Sequence, residues 1–81
     1  MAKSRSHYEQ LFLKFPDVVT IPEFCRMLGG IADSTARKLV RKNIVRHNYV
    51  RDTYSIPKSW IIDYVLSNHY DKYKKELKVQ I

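Results

Sequence analysis

The side chains best placed to do chemistry in this sequence are cations. Arg37, Lys38, Arg41 and Lys42 recur at three- and four-residue spacing after Ser34-Thr35, and Arg46, Arg51 and Lys58 follow. Guanidinium and ammonium groups grouped in this way neutralise polyanions, and arginine also reads guanine edges or grips phosphates with two parallel N–H donors. From Ser34 to Lys58 seven basic residues stand against one acid, Asp52, a net +6; the rest of the chain supplies only +1 of the total +7. A merely solvated basic surface would spread its excess along the chain, so the concentration points to a nucleic-acid face. The candidate contacts are Ser34, Thr35, Arg37, Lys38, Arg41, Lys42, Arg46, Arg51 and Lys58. Ser34 and Thr35 stand at the start of the run, where hydroxyls and a helix N-terminus meet base edges or a phosphate.

Bond-making chemistry lacks its usual constellations. The sequence holds no Gly-rich phosphate loop, no His-Glu-x-x-His and no nucleophile elbow, and His7, His47 and His69 fall in separate segments. The expectation is a protein that is not an enzyme and needs neither metal nor cofactor. Cys25 is the single cysteine, which excludes an intrachain disulfide and a zinc finger; its apolar neighbours predict a buried thiol. No apolar run reaches the roughly 18 residues of a membrane span, and Met1-Ala2-Lys3-Ser4-Arg5 leads into polar sequence, so a cytoplasmic protein with no membrane partner is expected. At 81 residues, 44% hydrophobic and 28% charged, the chain has the composition of one folded domain.

The cations need a scaffold, and the pattern around them supplies one. Ser6-His7-Tyr8-Glu9 has the form of a capping box, and Tyr8, Leu11, Phe12 and Phe15 then follow helical spacing until Pro16-Asp17, which predicts a packing helix within residues 1–18. Thr20-Ile21-Pro22-Glu23 is a second capping box with Pro22 at the first helical position; Ile21, Phe24, Cys25 and Leu28 share a face, and Gly29-Gly30 stops the helix. A further helix, capped by Asp33 or Ser34, runs to about Asn43, a residue that tolerates the left-handed conformation of a helix end. At about 100° per residue its Arg37, Arg41, Ser34, Lys38 and Lys42 span an arc of about 140°, with Ala36, Leu39 and Val40 on the other side.

Ile44 to Val50 and Thr53 to Ile56 are rich in β-branched and aromatic residues and predict a hairpin turning at Arg51-Asp52, without the Asn-Gly or Asp-Gly signature that would fix the turn type. Pro57 then opens a helix with Trp60, Ile61, Tyr64 and Val65 inward and Trp60 as a core anchor. Leu66, Tyr70, Tyr73 and Leu77 continue a stripe among lysines, either unbroken to about Val79 or interrupted at Ser67-Asn68. This basic amphipathic tail, residues 67–81, has two readings: packing on Leu11 and Phe15 of the first helix, or a contact surface for another protein.

Together Thr20-Ile-Pro-Glu23, Leu28-Gly29-Gly30, Ser34-Thr35-Ala36-Arg37-Lys38-Leu39-Val40 and Ile56-Pro57-Lys58-Ser59-Trp60 make residues 19–66 resemble the excisionase-like branch of the MerR-type winged-helix DNA-binding domains. Asn43 and Arg51-Asp52 depart from that pattern, where glycine is common. The resemblance implies a mainly α fold with a small β-hairpin, a winged helix-turn-helix whose second helix enters the major groove while the wing meets the backbone. It also implies a phage or mobile-element protein. Such proteins bind and bend attachment-site DNA, often as cooperating copies, and assist a tyrosine-type integrase; other members regulate transcription. Two readings stand beside duplex DNA binding: an adaptor using the tail, and RNA binding, which the small sheet with only Tyr49 and Tyr54 disfavours.

Overall fold

The computed structural model describes residues 4–77, without the side chains of 74 and 77. It is mainly helical, with one small antiparallel sheet. Helix α1, Arg5–Leu11, starts two residues earlier than expected: Ser4, not Ser6, is the N-cap, and its hydroxyl oxygen accepts from the His7 N–H. The earlier start brings Arg5 into the helix, where its guanidinium donates to Asp63 at 2.7 Å. Tyr8 and Phe12 are buried and stacked at 5.9 Å, and Phe15 packs at the core's margin. Leu11 is 44% exposed, contrary to its place in the apolar stripe. The helix ends at Leu11, ahead of Pro16, in successive turns in which Leu13 and Phe15 donate to Gln10 and Phe12.

Strand β1, Val18–Val19, has no counterpart in the sequence reading. Helix α2, Ile21–Met27, carries the anticipated box: the Glu23 carboxylate accepts from the Thr20 N–H at 3.0 Å and from its hydroxyl at 3.1 Å. Pro22 sits at the second helical position, not the first, where an N–H would also lack an intrahelical partner. The chain leaves α2 through Gly29 and Gly30, at φ 87° and 95°, conformations natural to glycine. Helix α3, Asp33–Arg41, follows after a short turn. Its N-cap is Ala32, with no side-chain cap; the Asp33 carboxylate expected there instead takes the Arg37 Nε–H at 2.7 Å. Asn43, at φ 57°, ends the helical segment as anticipated.

The incoming hairpin strand is shorter than Ile44 to Val50. Ile44 and Val45 donate to the Leu39 carbonyl and so remain part of the helix exit, leaving β2 as Asn48–Val50. It pairs with β3, Thr53–Pro57, in the register Asn48↔Ser55, Tyr49↔Tyr54 and Val50↔Thr53. The loop is therefore Arg51-Asp52, at φ 52° and 62°, the two positive values that a type I′ turn requires. On its other edge β3 takes β1, with Val18↔Pro57 and Val19↔Ile56, to give the order β1-β3-β2.

Helix α4, Lys58–Val65, starts directly from β3 and buries Ile61, Ile62, Tyr64 and Val65. Trp60 is only half-buried, a correction to its role as core anchor; it lies under the Arg46 guanidinium. The chain breaks at Ser67, whose hydroxyl donates to the Tyr64 carbonyl and accepts from the Tyr70 N–H, opening α5, Asn68–Leu77. Tyr70 is 2% exposed, its ring edge-on to Tyr64 at 5.6 Å and its phenol within electrostatic reach of Tyr8 of α1, so α5 joins the one core beside Tyr64 and Tyr8 while Leu11 stays at the rim. The expected placements of the Leu77 and Lys74 side chains and of Lys78 and Val79 lie outside the described residues.

A left-handed residue other than glycine is strained by about 1 kcal/mol, so Arg51→Asn is expected to stabilise the fold by about 0.5–1 kcal/mol, visible as a melting midpoint several degrees higher. Burial pushes the Tyr64 and Tyr70 phenols up to about 12. Their folded values lie above the unfolded one near 10, so their contribution is complete below about pH 10 and is lost as pH rises towards 12. Melting curves across that window should fall steeply for the wild type and less steeply for Tyr64→Phe/Tyr70→Phe.

Candidate nucleic-acid interface

Helix α3 is oriented by its apolar residues. Ala36, Leu39 and Val40 are at most 3% exposed, and α2, Val45 and the sheet close over the same core. The opposite side, with Ser34, Arg37, Lys38, Arg41 and Lys42, is exposed, as the helical spacing requires. Thr35 is half-buried at the helix flank. On one side Arg37 shares a cleft with Asp52, Thr53 and Tyr54, so the hairpin turn stands beside the middle of α3. On the other, Thr35, Lys38 and Lys42 face His69, Tyr73 and Glu76 of α5 across a groove of about 320 Å³. The basic helix thus lies between a hairpin and a helix.

Arg51 is exposed at the hairpin tip. Beside it the Tyr49 hydroxyl donates to Asp52 at 3.0 Å, and that hydrogen bond, ahead of the carboxylate's charge, holds the Tyr49 phenol above its ordinary value. Tyr49 and Tyr54 are in ring contact at 4.7 Å, and Tyr54 meets His47 at 5.4 Å, stiffening the hairpin on one face. Arg46 is exposed, its guanidinium carbon 4.7 Å from the centre of the Trp60 ring.

Lys58 does not belong with these residues. Its ammonium donates to the carbonyls of Phe12 at 3.2 Å and Phe15 at 3.0 Å, with Asp17 at 4.0 Å, and its side chain is 17% exposed. It ties the α1 exit to the β3–α4 junction, reinforced where its own N–H donates to the Asp17 carbonyl. The structure therefore gathers Ser34, Thr35, Arg37, Lys38, Arg41 and Lys42 on one helix, sets Arg46 and Arg51 on the segment that follows it, and assigns Lys58 elsewhere. Trp60 is the neighbour that sequence reasoning missed, because the Arg46 contact crosses from the loop to α4.

Ion pairing divides the cations further. Among the described residues carboxylates engage Arg5, Arg37 and Lys58, whereas Lys38, Arg41, Lys42, Arg46 and Arg51 have no carboxylate partner. The Arg37–Asp33 pair is exposed on both sides and of the i,i+4 kind, a weak interaction that commits the guanidinium little. No group of three or more His, Cys, Asp or Glu among the described residues could hold a metal ion, and burial pushes the Cys25 thiol up. No helix among them is long and apolar enough to cross a membrane.

The placement of Lys58 is directly testable. Lys58→Met retains most of the aliphatic stem and removes the charged donor from two carbonyls, so the fold is expected to lose about 1.5 kcal/mol in denaturant unfolding; an unchanged midpoint would show the lysine to be dispensable there.

No protein-family model, curated protein or solved structure matches the chain.

Proposed function

We propose that this chain is a sequence-specific duplex-DNA-binding protein of the winged helix-turn-helix type, with α2 and α3 as the helix-turn-helix and the β2–β3 hairpin as the wing. The observation that carries the reading is the division of α3: its apolar stripe is buried and every cation on it faces out, beside a hairpin with an exposed arginine at its tip. In that arrangement α3 enters the major groove, Arg37 and Arg41 are the base readers, and Lys38, Lys42 and Arg51 hold phosphates. Ser34 and Thr35 serve the end of the helix that meets the groove first. The resemblance of residues 19–66 extends the proposal to an excisionase role in the cytoplasm, bending attachment-site DNA in cooperating copies and assisting a tyrosine-type integrase. The alternative of an adaptor working through a free tail is weakened by Tyr70, which is spent on the core.

Selection from a random duplex pool tests the reading: a preferred motif is expected, and failure to enrich any would remove it. On the selected site, Arg37→Ala and Arg41→Ala should each reduce discrimination by about 1–3 kcal/mol and relax preference at particular base pairs. A loss that is uniform over all sequences would reassign them to phosphates. Arg51→Asn, expected to stabilise the fold, should weaken binding to every sequence and lower the salt slope by about 0.9. Opposite signs for stability and affinity in one variant separate a contact from a folding effect. The excisionase role predicts bending and cooperative occupancy of adjacent sites, read by permuted-site gel mobility and footprinting; unbent DNA and independent occupancy would leave a plain regulator.

A further inference from the structure

Arg46 is held by an unusual partner for an exposed arginine. Its guanidinium carbon stands 4.7 Å from the centre of the Trp60 ring, and no carboxylate pairs with it among the described residues. An acid is close: Asp63, one turn along α4 from Trp60, lines the same cleft as Arg46 and Trp60. That carboxylate is taken by Arg5 of α1 at 2.7 Å. Arg46 is therefore oriented without being neutralised.

Stacking and pairing have different consequences for a guanidinium. A carboxylate uses the N–H edge and cancels the charge, whereas an aromatic face uses the flat side and leaves the five in-plane donors directed outward. The stack also restricts a long side chain in advance, which reduces the entropy lost when it grips an anion. Trp60 suits this role because it is half-buried: the apolar helix face fixes it, and the remaining ring surface is available to Arg46. Arg46 follows α3 and precedes β2, on the segment joining the two proposed DNA-contacting elements.

We propose that Trp60 is a positioning residue that presents Arg46 to a phosphate of duplex DNA, extending the interface from α3 towards α4. The inference rests on the DNA-binding reading above, and its test separates the two. Trp60 is the one tryptophan in the chain, so its emission reports the stack directly. Titration with a short mixed-sequence duplex at low salt is expected to change that emission, and Arg46→Ala to remove the change while retaining binding with a salt slope smaller by about 0.9. Trp60→Leu keeps the charge and loses the platform; duplex binding should weaken about two- to fivefold, and Trp60→Phe should restore most of it. Arg46→Lys, at an exposed position that does not endanger folding, should show the same two- to fivefold loss. Inorganic phosphate in place of duplex should leave the emission unchanged, since one guanidinium without its neighbours holds a free anion weakly. Wild-type protein that binds duplex with unaltered Trp60 emission, or Arg46→Ala and Arg46→Lys variants with wild-type affinity and slope, would overturn the role of the pair while leaving DNA binding intact. A response to inorganic phosphate with none to duplex would overturn it too. Wild-type protein that fails to bind duplex at all would remove both readings.

Discussion

Burial of Ala36, Leu39 and Val40 is the constraint from which the exposed chemistry follows. A small domain has little core to spare, and these three side chains, with Val45 immediately beyond them, close it from the α3 side. Once they face inward, helix geometry leaves Arg37, Lys38, Arg41 and Lys42 no position except the surface. Gly29 and Gly30 set the direction from which α3 arrives, and Asn43 turns the chain out of it, so that the hairpin begins beside the helix and does not continue it. The basic face is a consequence of core packing, and its orientation would survive the loss of any one cation.

A second junction holds the back of the molecule. The α1 exit, β1 and the start of α4 meet at Pro57-Lys58, where β3 pairs with β1, the Lys58 N–H donates to the Asp17 carbonyl, and the Lys58 ammonium donates to the Phe15 carbonyl and, beside the Phe15 N–H, to that of Phe12. A charge that contributes to the basic segment in sequence thus serves folding in space, and the segment's net +6 overstates what is offered to a partner.

The legible parts of the sequence were those written in local rules. The Thr20–Glu23 box, the Gly29-Gly30 exit, the two faces of α3, the Asn43 turn and the hairpin centred on Arg51-Asp52 each depend on residues within about one helical turn or one strand pair. What escaped involved distant partners or equivalent local choices. β1 is two residues long and exists because β3 has a free edge. Ser6, with Glu9 three residues on, is the better cap in isolation, and the Arg5–Asp63 pair favours the earlier Ser4. Leu11 fits the helical stripe, yet the stacked pair Tyr8 and Phe12 occupies the available core and leaves it at the rim. For the candidate site the composition located seven cations but could not say which were committed: Lys58 and the Arg46–Trp60 stack are decided over separations that no window of sequence spans.

The distribution of unsatisfied groups carries the remaining step. Carboxylates pair with Arg5 and Lys58 at the α1–α4 side and with Arg37 on α3; Lys38, Arg41, Lys42, Arg46 and Arg51 have no carboxylate partner among the described residues and follow one another along α3 and the segment after it, while Lys14, Arg26, Lys72 and Lys75, equally without one, are scattered over other elements. The same region holds the positive φ of Arg51, and its only acids, Asp33 and Asp52, sit at the edges of the basic run. Like charges held close without counterions oppose folding, as does a strained turn, and a fold gains nothing from either on its own. Under the proposed function, a dense line of phosphates would supply the negative charge that these cations lack and would release its own condensed counterions in exchange. The strained turn and a run of unpaired charge therefore lie on the same surface, the one that the proposed function gives to a polyanion.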